Sequence, residues 1–290
     1  MTTQVEENAH AQSGAVAEGT SEEGTEPTRR LRIVLFAPEE PSVMPIFFER
    51  VVPRLREEIA AVAVVSPIYK KSSWTGQAKR FVDAFGVREF AIEVAHYAYY
   101  KAADVLCRVL PVGRHRSVKG IVRHRGLRLL TPDNVNSEAF LAELRELRPD
   151  LIVSVSCPQI FKQDLLELPR LGCVNLHSAL LPDYRGMLPT FWVLAQGEQE
   201  TGVTMHYMTP GIDGGGIIAQ RRIEIARDET LHSLMRKCKA VAADLTLEAV
   251  DRFHEGAIPP APNPADEGSY FSFPTREDVR QFRRLGRAMR

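Results

Sequence analysis

Short apolar runs rich in β-branched residues recur along this 290-residue chain, and they alternate with longer segments in which apolar residues have helical spacing. The runs are LRIVLFA at 31–37, AAVAVVSP at 60–67, LRLL at 127–130, LIVSVS at 151–156 and CVNLH at 173–177. Strands that are apolar throughout are typically buried on both faces of a parallel sheet, with helices as the crossover connections. The pattern predicts an α/β, Rossmann-like fold with a mostly parallel twisted sheet and helices on both faces.

The pattern changes in the last third of the chain. The segments GVTMHYM at 202–208 and GIIAQRRIEI at 216–225 alternate between apolar and polar residues, and a Gly/Asp-rich loop joins them. Alternation with a glycine-rich connection predicts an antiparallel hairpin at the sheet edge. A long helix is expected from Thr230 to a stop at Gly256, and a short helix after Thr275.

Composition divides the chain into one domain with two appendages. Residues 1–30 are rich in Glu, Thr, Ser, Gly and Ala, so we predict a disordered tail. The domain is expected to cover 31–255, with a helical insertion at 69–110 and a short C-terminal extension at 256–290. In the insertion, helices packed on the sheet are the favoured interpretation. A pocket wall, a dimer surface and an interfacial membrane contact remain open.

Charge and cysteine usage limit the classes of partner. Lys+Arg and Asp+Glu are both 37, so a zero formal net charge provides no long-range attraction for nucleic acid or an anionic membrane. The four cysteines lie far apart without metal-binding spacing, which indicates reduced thiols, a cytoplasmic protein and no metal. No apolar run is long enough to span a bilayer. The basic stretch at 108–128 is interpreted as a solvated helix face, with phosphate binding as the alternative.

Three polar residues are the candidate active site. Asn175 and His177 are two apart at the end of a predicted strand, so they share one face, and Asp213 follows in the glycine-rich loop. An amide beside an imidazole suits a reaction that develops an oxyanion, and a carboxylate can orient the imidazole. No serine or cysteine is clearly placed as a nucleophile, which favours direct transfer. Taken alone, the Asn-x-His pair could equally be structural.

The order of several motifs adds a family resemblance. GCVNLH at 172–177, LLP at 180–182, YRG at 184–186, ETGVT at 200–204 and DGG at 213–215 resemble the family of formyltransferases that use 10-formyltetrahydrofolate. The resemblance implies that Asn175, His177 and Asp213 form the catalytic trio. It also implies that a substrate amine attacks the formyl carbon and that His177 and Asn175 hold the resulting oxyanion.

The resemblance further implies a folate pocket made by two loops. The residues expected there are Ser156, Cys157, Pro158, Gln159, Ile160, Met208, Gly211 and Ile212. The chain reads HSALLP at 177–182 where the family usually has His-x-Ser-Leu-Leu-Pro, so contacts of the displaced Ser178 are open.

The acceptor is expected to be a small-molecule amine. The segment YFSFPT at 270–275 and GVTMHYM resemble the sugar N-formyltransferases, which implies the amine of a nucleotide-linked amino sugar. Zero net charge and a short C-terminal region argue against tRNA. A methionyl-tRNA formyltransferase-like enzyme, a 10-formyltetrahydrofolate hydrolase and a non-catalytic folate-binding protein are the alternatives, and a homodimer is left open.

Overall fold

A seven-stranded mixed sheet forms the centre of the computed structural model, which describes residues 30–66, 74–109 and 115–290. The strands are β1 (Ile33–Ala37), β2 (Ile59–Val64), β3 (Leu129–Leu130), β4 (Leu151–Val155) and β5 (Cys173–His177), followed after the short β6 (Arg185–Gly186) by β7 (Glu200–Tyr207) and β8 (Ile217–Glu224). The order across the sheet is β3-β2-β1-β4-β5-β7-β8. The first five of these are mutually parallel, and β7 and β8 form the predicted antiparallel hairpin, so both expectations are confirmed.

Helices cover both faces of the sheet. They are α1 (Met44–Leu55), α2 (Trp74–Phe85), α3 (Val87–Val109), α4 (Val118–His124), α5 (Glu138–Leu147), α6 (Gln163–Leu166), α7 (Pro189–Ala195), α8 (Leu231–Phe253) and α9 (Arg276–Arg284). One hydrophobic core lies between the sheet and α1, α4, α7 and α8, and the other lies between the sheet and α5 and α6. The central parallel strands β1, β2, β4 and β5 are therefore buried on both faces, as their apolar sequences predict.

Helix boundaries follow local capping chemistry. Ser117 is the N-cap of α4, because its Oγ accepts a hydrogen bond from Gly120 N at 2.9 Å. Helix α1 begins at Met44 with Pro45 in its first turn, where the N–H that proline lacks would have no partner within the helix, and Pro53 lies in its last turn.

The insertion is helical but packs only partly as expected. Phe85 of α2 is buried against Phe191 and Phe273. In α3, by contrast, the apolar residues Tyr97 and Tyr99 are half or more exposed, so the prediction that they pack on the sheet is wrong. Helical spacing identifies a stripe on a helix but does not identify what covers it.

The segment 256–290 packs against the sheet domain. Phe282 of α9 is fully buried and stacks on Phe191 with ring centroids 5.1 Å apart. Strand β9 (Tyr270–Phe271) pairs with β6 to form a second, two-stranded sheet that was not predicted. The predicted helix after Thr275 is confirmed, with Thr275 as its N-cap.

Other expectations lie wholly or partly outside the described residues. The predicted disordered tail falls on 1–29, and the start of the insertion and the beginning of the basic stretch fall on 67–73 and 110–114. No helix within the described ranges has the length and apolarity needed to cross a bilayer. Arg123, His124 and Arg125 are exposed at the end of α4, as a solvated helix face predicts.

Candidate active site

The carboxyl edge of the sheet brings the three predicted residues together. Asn175 and His177 lie on one face of β5, and Asp213 reaches them from the loop between β7 and β8. The Nδ1 atom of His177 is 3.6 Å from Oδ2 of Asp213. This separation is too long for a direct hydrogen bond and short enough for strong electrostatic interaction.

A dense set of backbone contacts fixes Asp213. Its Oδ2 accepts a hydrogen bond from Gly186 N at 2.8 Å, and Asn263 Nδ2 donates to Asp213 O at 3.0 Å. The backbone of Asp213 has a φ of 50°, a left-handed conformation that Asp and Asn tolerate better than most residues. The carboxylate is therefore held in one position by the loop itself.

Close backbone packing at Gly215 makes this loop possible, and it predicts the effect of one substitution. A Cβ atom at Gly215 would lie 1.9 Å from Tyr207 O, so Gly215→Ala should destabilise the fold by about 1–3 kcal/mol. The equivalent atom at Gly214 would lie 3.6 Å from its nearest neighbour. We expect Gly214→Ala to leave the free energy of unfolding unchanged in urea titrations. Equal stabilities of the two variants would contradict the prediction.

His206 is a site residue that sequence reasoning missed. Strand β7 pairs antiparallel with β5 so that His206 lies directly opposite Asn175. Its Nε2 is 3.2 Å from Asn175 Nδ2 and 3.6 Å from Asp213 Oδ1. The available signal was a histidine inside the alternating run GVTMHYM, on the same strand face as the polar Thr204.

The hydrogen-bond partners define the tautomer of His206. Its Nδ1 is 2.9 Å from Tyr207 O, and a carbonyl can only accept, so Nδ1 carries the proton. In the neutral ring Nε2 is then an acceptor, and Asn175 Nδ2 donates to it. This hydrogen bond fixes the orientation of the Asn175 side-chain amide and leaves its second N–H available for another acceptor.

The environment keeps His206 neutral over the physiological range. Burial lowers its pKa from 6.5 to about 4, although the Asp213 carboxylate opposes the shift. At a pH between 6.5 and about 4, His206 binds a proton in the unfolded chain but not in the folded chain. The neutral His206 ring therefore costs no folding free energy above pH 6.5, and the free energy of unfolding falls as the pH falls towards 4.

This shift predicts a measurable pH dependence. From pH 7.5 to 4.5 the wild type should lose on the order of 2–3 kcal/mol more unfolding free energy than His206→Gln, which has no titrating ring. The exposed His124 is the matched control, and His124→Gln should follow the wild type. Urea unfolding at a series of pH values measures the difference. Parallel curves for the wild type and His206→Gln would contradict the assignment.

The loop after β5 completes the contacts of His177. Its Nε2 is 2.8 Å from Tyr184 O, which can only accept, so Nε2 carries a proton and Nδ1 faces Asp213. The loop is supported from the C-terminal segment, because the Tyr184 ring stacks on Phe271 and Tyr184 N donates to Ser269 Oγ at 2.9 Å. A Cβ atom at Gly186 would lie 2.3 Å from Phe271 O.

The two loops predicted to bind folate follow β4 and β7. Ile160 and Ile212 are 66% and 43% exposed, so each loop presents an apolar side chain to solvent. The buried side-chain amide of Gln159 donates to Ser66 O and Asp133 O and accepts from Val135 N, so it fixes the position of the first loop. The other candidates are Ser156, Cys157, Pro158, Met208 and Gly211. Binding of folate by any of them stays a prediction.

Burial governs the titrating groups near this edge. It raises the pKa of Cys157 to about 12, so this thiol is protonated at neutral pH and is a poor nucleophile. Lys239 of α8 is 3% exposed, and its Nζ donates to Ser156 Oγ at 2.7 Å. Burial lowers the pKa of Lys239. Among the described residues, no group of His, Cys, Asp and Glu could hold a metal ion.

The fold and these groups define an α/β protein in which an amide, two histidines and a carboxylate lie together at the carboxyl end of β5. A model of the formyl transferase family matches residues 31–250. The chain belongs to the formyl transferase family.

Two curated relatives and one solved structure illustrate the similarity. Methionyl-tRNA formyltransferase of Geobacter metallireducens is 38% identical over 182 residues, which cover 60% of this chain and 58% of the relative. The enzyme of that name from Caldanaerobacter subterraneus subsp. tengcongensis is 33% identical over 202 residues, covering 66% and 65%. The chain thus spans about three fifths of the length of these relatives.

The solved structure supports the fold. It is an N-formyltransferase from Helicobacter canadensis in complex with folinic acid and dTDP-3-aminofucose. It has a TM-score of 0.54 and 19% identity, and the match covers 86% of this chain and 72% of that one.

Proposed function

We propose that this protein transfers a formyl group from 10-formyltetrahydrofolate to the primary amine of a small molecule. The observation that carries the proposal is the contact group of Asn175, His177, Asp213 and His206 at the carboxyl edge, within a formyl transferase family domain. Ligands of sheets of this class bind at that edge. The exposed Ile160 and Ile212 fit the apolar faces of a pterin ring.

The polar atoms of the site suggest how each residue acts. The second N–H of Asn175 is available for the oxyanion that forms on the formyl oxygen, and His177 donates its Nε2–H to the same oxygen once its contact with Tyr184 O is exchanged for it. Asp213 accepts the proton that the attacking amine loses, directly or through water, because its Oδ1 has no direct hydrogen bond to either ring at 3.6 Å. When the C–N bond to the folate breaks, the bonding electron pair leaves on the folate nitrogen, which takes up the proton that Asp213 accepted and so restores the carboxylate. His206 acts on Asn175 as a positioning residue.

A nucleotide-linked amino sugar is the favoured acceptor. The Helicobacter canadensis structure holds a nucleotide-linked amino sugar and shares this fold. In this chain α4 begins beside the loop after β1, where Glu39 accepts hydrogen bonds from Val118 N and Lys119 N. The basic stretch at 108–128, which includes the residues of α4, is the candidate for contacts with a diphosphate.

The curated relatives favour a second acceptor. Both are methionyl-tRNA formyltransferases, so the amine of methionyl-tRNA is the alternative. Zero formal net charge offers no general attraction for tRNA phosphates.

One set of assays tests the proposal. The full chain is incubated with 10-formyltetrahydrofolate alone, with dTDP-linked 3- and 4-amino sugars, and with methionyl-tRNA, and release of tetrahydrofolate is followed. We expect release with an amino sugar, together with a product 28 Da heavier. Release of tetrahydrofolate only with methionyl-tRNA would identify the protein as a methionyl-tRNA formyltransferase. Release without any amine would identify a hydrolase, and binding without release in every mixture would identify a folate-binding protein.

A further inference from the structure

Helix α3 presents an apolar outer face to solvent, which we define by its exposed large side chains. These are Val87, Val94, Tyr97, Tyr99, Val105 and Leu106, with exposed fractions between 46% and 69%. The helix is anchored along its opposite side. Glu93 pairs with Arg290 at 2.7 Å, and the Asp104 carboxylate accepts from Arg116 N at 3.1 Å. The α3 outer face is therefore held in place by the rest of the fold.

Small residues form a continuous seam along the middle of this face. Ala91, Ala95, Ala98, Ala102 and Val105 are all exposed, and they are separated by four, three, four and three residues. This is the heptad spacing at which two helices remain in contact along their length. Small residues at such positions let two helix backbones approach closely.

From this face we propose that the protein forms a homodimer in which the α3 helices of two copies pack antiparallel across a two-fold axis near Ala98. In this arrangement Ala98 meets Ala98 of the second copy. Ala95 of each copy contacts Ala102 of the other, and Ala91 of each copy contacts Val105 of the other. The seam is thus self-complementary, as an isologous interface requires.

The exposed area of the α3 outer face is consistent with a second copy of the chain as its partner. The exposed fractions of the six large side chains and the seam correspond to an area of the same order as the roughly 800 Å² per partner that a standard specific interface buries. This is larger than the apolar patch of a typical monomer, at roughly 300–600 Å². The enrichment of tyrosine is also typical of interface cores.

Other occupants fit less well. Within 87–107 the exposed cations are Arg88 and Lys101, and Lys101 Nζ already lies 5.4 Å above the Tyr97 ring. Two cations and a seam of alanine supply little attraction for a bilayer. Residues 1–30 contain only two branched apolar residues, Val5 and Val16, so they cannot cover the face.

Sedimentation velocity of the full chain between about 1 and 100 µM tests the proposal, since interfaces of this size reach micromolar affinity or better. We expect a monomer–dimer equilibrium that Ala98→Glu weakens at least tenfold, because two carboxylates meet at the axis. The matched control is Ala142→Glu, at an exposed position of α5 on the other face of the sheet, and it should dimerise as the wild type does. A wild type that stays monomeric at 100 µM, or unchanged dimerisation of Ala98→Glu, would overturn the proposal.

Mixing two variants tests the position of the axis and guards against misfolding. Ala98→Glu and Ala98→Lys should each be monomeric alone, and an equimolar mixture should form heterodimers because the opposite charges then meet. Failure of the mixture to dimerise, with both variants folded by circular dichroism, would overturn the antiparallel arrangement. A monomeric wild type that sediments with phosphatidylglycerol vesicles, while Ala98→Glu does not, would assign the face to lipid instead. None of these outcomes depends on the acceptor of the formyl group.

Discussion

His177→Ala is expected to lower kcat for formyl transfer by roughly 10³- to 10⁴-fold, which corresponds to about 4–5.5 kcal/mol of transition-state stabilisation. The ring of His177 is 95% buried or more, with Nε2 fixed by Tyr184 O and Nδ1 facing Asp213. Alanine removes both the oxyanion donor and the group through which Asp213 acts. The KM for 10-formyltetrahydrofolate should change little, because the predicted folate loops do not depend on this ring.

Steady-state rates of tetrahydrofolate release provide the measurement. The control is His254→Ala, because His254 also faces a carboxylate, with Nε2 3.3 Å from Glu58, and lies at the end of α8 rather than at the site. It should retain full activity. If His177→Ala retained activity with an unchanged melting temperature, the proposed site would be wrong.

Asp213→Asn should reduce kcat by roughly 10²- to 10³-fold with little loss of stability. Asparagine has the same shape, tolerates the left-handed backbone of this position, and can still accept the hydrogen bond from Gly186 N. It cannot accept a proton from the attacking amine or stabilise a charged His177. The substitution therefore isolates the charge of the carboxylate from its structural contacts.

The experiment compares kcat and thermal unfolding of Asp213→Asn with those of Asp244→Asn. Asp244 pairs with Arg50 at 3.0 Å on the surface, and both side chains are at least 40% exposed, so its loss should be nearly neutral. A large loss of stability in Asp213→Asn would show that the carboxylate serves the fold. Unchanged kcat would exclude it as the proton acceptor.

The sheet could be predicted because a strand that is buried on both faces is a continuous apolar run in the sequence. Runs such as LIVSVS and CVNLH admit few alternatives to a central strand once helical segments separate them. Strands β7 and β8 were predicted from the alternation of apolar and polar residues. Strands β6 and β9 could not be predicted, because each has two residues and their pairing joins positions 85 apart in the chain. Segments this short carry no periodicity.

The site was predictable to the extent that its residues lie in motifs. Strand position and the glycine-rich loop singled out Asn175, His177 and Asp213, the family resemblance of the surrounding motifs made them the prediction, and the structure places them together. His206 depends on the register between β5 and β7, which a single sequence does not specify. Lys239 reaches Ser156 from a distant helix, so only the tertiary structure reveals that contact.

The small sheet formed by β6 and β9 makes the site depend on residues that are synthesised after the large sheet. The loop that carries Tyr184 O and Gly186 N rests on Ser269 and Phe271, which the ribosome adds more than eighty residues later. Domains form as units during synthesis, at about 5–20 residues per second. The large sheet can assemble first, but the groups that hold His177 and Asp213 gain their support only after Ser269 and Phe271 have been synthesised. A nascent chain would thus be folded before it is catalytically competent.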